Sequence, residues 1–254
     1  TVNGDGSYFT CDEASVQLSG YTIGINSPTG HIDITDSDIA ITGANRGING
    51  GIYVNHFIIR NSTVNCSVSG AGGVAIANGQ DIWFDHSALT LGSASSNAVY
   101  SAASLTISNG SEIDAAGFYP ALFGEASMAI SDSVVNAVSS GDIAIFTRGP
   151  LAITGSSTRI HAKGGENFAA IAARVVKTAD ETAALNISLS GLVERNGGKL
   201  AFCDWFLHSG GQTRSWTTFI AKDDDNIQIN ANGALLNALN EVWLQAGTIG
   251  TIDQ

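Results

Sequence analysis

Apolar and polar residues alternate along this chain in short bursts that recur at a nearly constant interval. The unit reads apolar-x-apolar, two turn residues, Ser, then x-apolar-x-apolar. Ile32, Ile34, Ser37, Ile39 and Ile41 form the first clear copy. Phe57, Ile59, Ser62, Val64 and Cys66 form the second, and Ile82, Phe84, Ser87, Leu89 and Leu91 the third. Leu105, Ile107, Ser111, Ile113 and Ala115 follow with one extra residue in the turn, and then Met128, Ile130, Ser133, Val135 and Ala137. A sixth copy begins at Leu151 and Ile153 and continues to Ile160 and Ala162. The copies start at residues 32, 57, 82, 105, 128 and 151, so the steps are 25, 25, 23, 23 and 23. A third apolar element closes each unit: Ile76, Val99, Leu122 and Ile145 are each 23 apart, preceded by Ala75, Ala98, Ala121 and Ala144.

Alternation with period two marks a strand with one buried face. Three such strands in about 23 residues leave no room for intervening helices. Equivalent strands of successive units then stack in parallel, about 4.8 Å apart, and their inward columns merge into a core that no single unit could build. The predicted fold is all-β, a right-handed parallel β-helix with about 23 residues and three short strands per coil. One domain is expected over residues 1–254. Residues 1–30 read as an N-terminal cap or partial coil through Val16, Leu18, Ile23 and Ile25, and residues 31–162 as regular coils. Residues 163–254 read as irregular coils, with an excursion over 163–184 and a second, aromatic-rich one over 194–226. Ile227 and Ile229, then Val242 and Leu244, read as final coils. The Ser column at 37, 62, 87, 111 and 133 falls at a bend, where a small hydroxyl can turn inward to a neighbouring coil's backbone. The polar residues beside it, Asp36, Asn61, His86, Asn109 and Asp132, are expected to stack as a ladder along the solenoid.

Composition narrows the partners. Charged residues make up only 13% against 44% hydrophobic, and 30 Gly stand beside 3 Pro, which suits short strands and tight turns rather than disorder. Eleven Lys and Arg spread along a chain of net charge -12 do not supply the clustered cations that nucleic acid requires. The same acidity opposes direct binding of a polyanionic sugar unless a divalent cation bridges the charges. No run reaches the roughly 18 apolar residues of a membrane span. The opening Thr-Val-Asn-Gly-Asp-Gly lacks the basic and apolar regions of a signal peptide, so an extracellular protein is expected to have lost one in processing. Cys11, Cys66 and Cys203 show no metal-type spacing and read as buried free thiols, with a Cys11–Cys66 bridge as the alternative.

Inward apolar columns, polar turn ladders and coil excursions together resemble the pectate-lyase-like right-handed β-helix superfamily over roughly residues 15–254. Locally, Asp81-Ile82-Trp83-Phe84-Asp85-His86-Ser87 resembles the Trp-Ile-Asp-His coil of pectate lyases. That resemblance implies chemistry in which carboxylates hold Ca²⁺ and an arginine removes the proton alpha to a uronate carboxylate. Arg148, Arg159 and Arg174 lie downstream, but none sits in the family's arginine motif, and no paired Asp ladder occupies the coils around residues 82–130. The superfamily also holds hydrolases, tailspikes, adhesins and sugar-binding solenoids, and fold analogy does not choose among them.

Candidate chemistry is therefore sought residue by residue. Asp223-Asp224-Asp225 is the acidic run, a solvated turn or a candidate Ca²⁺ site; no other cofactor is expected. His31, Asp33, Asp36 and Asp38 form a second acidic patch. The outward positions of the first strand are Asp33, Ile58, Trp83, Thr106, Ala129 and Ala152, a column uncharged from Ile58 onward. Such a face with one Trp can stack a sugar ring, and Trp83, Trp205 and Trp216 are the candidate ligand-binding residues. No catalytic set converges. The expectation is a non-catalytic bacterial β-helix, secreted or at the cell surface, serving adhesion or binding of a polysaccharide or host glycan as a monomer, without nucleic acid or membrane insertion. A polysaccharide lyase or glycoside hydrolase is the alternative, and a structural tailspike-like segment the second.

Overall fold

The computed structural model describes residues 2–3, 9–20, 22–149, 151–154, 157–165, 168 and 170–173, together with the strand backbone of 185–189, 192–194, 201–208, 211–218, 227–231 and 241–245. The chain winds as a right-handed parallel β-helix whose coils each contribute three strands, one to each of three walls. Wall A stacks Phe9–Asp12, the ends of Ile23–Thr35 and Arg46–Arg60, then Ile82–Asp85, Ser104–Ser108, Ser127–Ser131, Leu151–Thr154 and Leu185–Leu189. Wall B runs from Ser15–Ser19 through Asp38–Ala44, Thr63–Val68, Ala88–Ser93, Glu112–Gly117 and Val134–Ser139 to Arg159–Lys163. Wall C carries the three-residue strands Ile76–Asn78, Val99–Ser101, Leu122–Gly124, Ile145–Thr147 and Ile171–Ala173.

The register is the one that the repeat predicts. Leu105 lies opposite Ile82 and Met128, and Ile107 opposite Phe84 and Ile130. On wall B, Ile113 lies opposite Leu89 and Val135. All these inward residues are buried, and they form one core running along the solenoid. The cause is the pleat: successive side chains point to opposite faces, so one alternating segment contributes two residues to the core and exposes those between.

The corner between walls A and B is built from two adjacent columns. Glu13, Asp36, Asn61, His86, Asn109 and Asp132 all adopt left-handed backbone conformations, with φ between 46° and 56°. Asn and Asp tolerate this region because their short side chains satisfy local backbone groups. The lengthened fourth turn uses two such residues, Asn109 and then Gly110 at φ 78°. Next to them the Ser column forms a hydrogen-bonded ladder. The Ser37, Ser62 and Ser87 N–H groups donate to the Oγ of Ser62, Ser87 and Ser111 at 3.0, 3.2 and 3.3 Å. Each hydroxyl also donates to a carbonyl two or three residues earlier in its own coil, as Ser62 does to Arg60 at 2.6 Å and Ser111 to Ser108 at 2.7 Å. Two corner requirements, a left-handed Asn and a ladder Ser, thus generate the Asn-Ser-Thr and Asn-Gly-Ser triplets at 61 and 109. Ser87→Ala should cost about 1–3 kcal/mol, because it strands the buried Ser62 N–H. Ser87→Thr should recover most of that, since Thr158 fills the equivalent buried position. Equal denaturant midpoints for Ser87→Ala and wild type would show the ladder to be dispensable.

Four segments differ from the sequence reading. Phe9–Asp12 pairs with Ile32–Thr35, so coil pairing begins ahead of the regular segment read from residue 31. Ile171–Ala173 lies within the 163–184 excursion yet continues wall C beside Ile145–Thr147. Ile227–Ala231 and Glu241–Gln245 are not further parallel coils. The first pairs antiparallel with Leu185–Leu189, the second antiparallel with Arg159–Lys163 and with Leu192–Glu194. Alternation marks a strand but carries no direction, and these reversed strands cover the edges that the parallel walls would otherwise leave open.

Candidate binding surface

The outward column of wall A is in register through Asp33, Ile58, Trp83, Thr106, Ala129 and Ala152, every one half-buried. Trp83 therefore stands where the alternation placed it, between the core residues Ile82 and Phe84. Its ring lies 6.0 Å from that of His56, which lies 4.8 Å from that of His31. Toward the following coils the column becomes small. Trp83 thus ends a row of bulky rings and begins a floor of Thr106, Ala129 and Ala152, three coils long.

Wall C presents the complementary pattern. Tyr100, Phe123 and Phe146 occupy its outward column, each directly after a buried Val99, Leu122 or Ile145. The rings of Tyr100 and Phe123 meet edge-on at 5.5 Å, and those of Phe123 and Phe146 stack at 5.1 Å. The Arg148 guanidinium sits 5.8 Å from the Phe123 ring centre and bonds Glu125 at 2.7 Å. The Tyr100 hydroxyl lies 3.5 Å from the same carboxylate. Burial first, then the charge of Glu125, pushes the Tyr100 phenol above its usual pKa, so it stays a donor through the neutral range. In each coil the two walls alternate in bulk: Ala77 precedes Trp83, whereas Tyr100, Phe123 and Phe146 precede Thr106, Ala129 and Ala152, always by six residues.

This aromatic column went unread in the sequence. Its signal was available, since Tyr, Phe and Phe fall 23 apart and one position after the third apolar element. Three-residue strands offer too little alternation to separate an outward ring from a second core position.

The other candidate residues fall as follows. Trp205 and Trp216 lie on the strands Ala201–His208 and Gly211–Thr218, an antiparallel pair that extends wall C beyond Ile171–Ala173. Trp216 pairs with Cys203, whose own partner Ala172 pairs with Phe146, so the backbone register runs from the aromatic column into this hairpin. The side chains of both Trp residues, and Asp223, Asp224 and Asp225 altogether, lie outside the described residues. Among the described residues, no three His, Cys, Asp or Glu side chains gather as a metal-binding group. The His31, Asp33, Asp36 and Asp38 patch is divided among wall A, the corner and wall B, with Asp33 accepting from Thr35. His86 belongs to the left-handed corner column, and its Nδ1–H donates to the Asn109 carbonyl at 2.9 Å. Asp85 is held by Arg60 at 3.1 Å and by the Asn109 amide at 2.6 Å. The segment resembling a lyase coil is thus divided among core, salt bridge and corner.

Cys11 and Cys66 are buried free thiols. Burial pushes Cys66 up to about 12. An unfolded thiol ionises near pH 8.5. As pH rises above that value the unfolded chain loses a proton that the folded chain keeps, so this group lowers stability by about 1.4 kcal/mol per unit until its folded pKa is reached. Below pH 8 it contributes no pH dependence. Cys66 should resist iodoacetamide at pH 8 in native buffer and react on unfolding; rapid native labelling, read by mass spectrometry, would show wall B to be open there.

Comparison with protein-family models, with curated proteins and with solved structures finds no match to this chain. Among the described residues no helix is long and apolar enough to cross a membrane.

Proposed function

We propose that this protein is a non-catalytic β-helix that binds a polysaccharide or cell-surface glycan, acting as a monomer outside the cell or at its surface. The carrying observation is a pair of outward columns: half-buried Trp83 heads the uncharged column of Thr106, Ala129 and Ala152 on wall A, and half-buried Tyr100 and Phe146 stand with Phe123 in the wall C column, six residues earlier in each coil. Aromatic rings at fixed spacing on a rigid sheet suit sugar rings, whose C–H faces pack on π surfaces while their hydroxyls reach polar groups at the margin. Tyr100, Glu125 and Arg148 provide that margin.

The residues that resemble a lyase coil favour binding over chemistry. A lyase needs an arginine available as base; the two arginines nearest the Trp83 column and the aromatic column, Arg60 and Arg148, are each engaged by a carboxylate, and Arg159 stands on wall B, away from residues 81–85. A hydrolase needs two carboxyl groups facing one bond. The finer kinship with the pectate-lyase-like superfamily rests on the coil architecture and on residues 81–87. The test is a glycan array followed by titration of the best ligand. Trp83→Ala should weaken binding about tenfold or more, the loss of one ring platform worth about 1.4 kcal/mol. Oligosaccharides released from a polysaccharide panel, with or without Ca²⁺, would overturn the non-catalytic reading.

A further inference from the structure

The glycan-binding reading leaves the ligand's charge open, and the ion pairs of this outward strip of two columns bear on it. Two guanidinium groups border the outward strip, Arg60 on wall A and Arg148 at the end of wall C. Both are matched by a carboxylate of a neighbouring coil, Asp85 for Arg60 and Glu125 for Arg148. Arg148 is further committed by its place over the Phe123 ring. On the same walls Asp33 and Asp81 add negative charge, and the Asp81 carboxylate accepts the Ser104 N–H at 2.8 Å. The rest of the strip is neutral: aromatic rings, Ala, Thr and Ser.

We infer that the ligand is a neutral polysaccharide, extended along the solenoid axis, and not a polyuronate or sulfated chain. This inference rests on the glycan-binding reading and narrows it. A polyanion laid on this strip meets net negative charge, and each contact with Arg60 or Arg148 requires displacing a carboxylate already in place. A neutral sugar meets no such penalty. Its hydroxyls both donate and accept, so they can use the outer lone pairs of Glu125 and the outer N–H groups of Arg148 without breaking the pair. Coils rise by about 4.8 Å, close to the length of one sugar unit in an extended chain. Three coils of small floor residues then accommodate consecutive units, with Trp83 closing one end.

Affinity electrophoresis in gels containing β-glucan, xylan, mannan or polygalacturonate, run at low ionic strength with EDTA, tests this. EDTA removes any bridging divalent cation. Retardation by at least one neutral glycan, at an affinity about tenfold or more above that for polygalacturonate, is expected. Glu125→Gln unpairs Arg148 and should raise retention by polygalacturonate severalfold. Its folding is checked by circular dichroism, and the wild-type comparison decides the question if that variant does not fold. Wild-type protein that binds polygalacturonate in EDTA as tightly as the neutral glycans overturns the inference and leaves the glycan-binding reading standing. Wild-type protein retarded by no glycan overturns both.

Discussion

Ile107→Asp is expected to remove about 5 kcal/mol or more of stability, enough to abolish cooperative folding of the coils around it. Ile107 is fully buried, with Phe84 directly before it and Ile130 directly after it in the stack. A carboxylate there has no partner, and its protonated form would still strand a polar group among apolar neighbours. The solenoid amplifies the damage. Each coil contacts mainly its neighbours, so stability is close to a sum of coil and interface terms, and a failed coil in the middle uncouples the two ends. Thermal melting should show either a midpoint lower by more than about 10 °C or two separate transitions. Thr106→Asp, one residue away but outward and half-buried, should change stability by only about 0.5 kcal/mol. Similar losses for both variants would mean that the inward and outward faces of wall A are exchanged.

That contrast depends on a register that could be read before any coordinates. Ile32, Phe57, Ile82, Leu105, Met128 and Leu151 form one column because strict period-two alternation permits only one face to be apolar, and a slip of one residue would expose every member. The Ser column was legible for a related reason: a buried corner with room for a small hydroxyl recurs at a fixed offset from the strands. Cys11 was not recognised as a member of the wall A column, since a four-residue strand with a cysteine inside gives a weak signal. Ile171 was missed because its coil is 26 residues long rather than 23. The antiparallel end strands were missed because direction depends on which neighbour the chain finds, and that is a property of the whole fold.

The candidate surface was legible only in part. Trp83 followed from alternation alone. Tyr100, Phe123 and Phe146 share one register but lie on strands too short to declare their outward face, and the Arg148–Glu125 pair joins residues 23 apart that only the coil spacing brings together. Charge pairing across coils explains why the acidic total of the chain says little about any one surface. What decides a ligand is which carboxylates are already engaged, and by which cations.

Gly47→Ala should destabilise this protein by about 3 kcal/mol or more. Gly47 sits at the corner between walls B and C, in the column that continues as Ala75, Ala98, Ala121, Ala144 and Ala170, all five fully buried. The later coils accommodate a Cβ at this position. The coil of Gly47 does not, because the space is taken by the Cys66 Sγ and by the Ala75 carbonyl oxygen, both far inside van der Waals distance of an added Cβ. The same carbonyl accepts the Ile48 N–H at 2.8 Å and lies 3.5 Å from the Cys66 thiol, so it cannot retreat without breaking the ladder between coils. Cys66→Ala should rescue Gly47→Ala only partly, since it removes the sulfur and leaves the carbonyl. Gly92→Ala is the matched control on wall B, where the nearest atom to an added Cβ is Ser67 Oγ at 3.7 Å. There a methyl should be neutral or stabilise by about 0.4–1 kcal/mol through the less flexible unfolded chain. Equilibrium urea unfolding of the two single variants and the Gly47→Ala/Cys66→Ala double variant measures the coupling directly. A Gly47→Ala midpoint equal to that of Gly92→Ala would mean that Cys66 does not fill this corner, and that the early 25-residue coils are closed by some other packing.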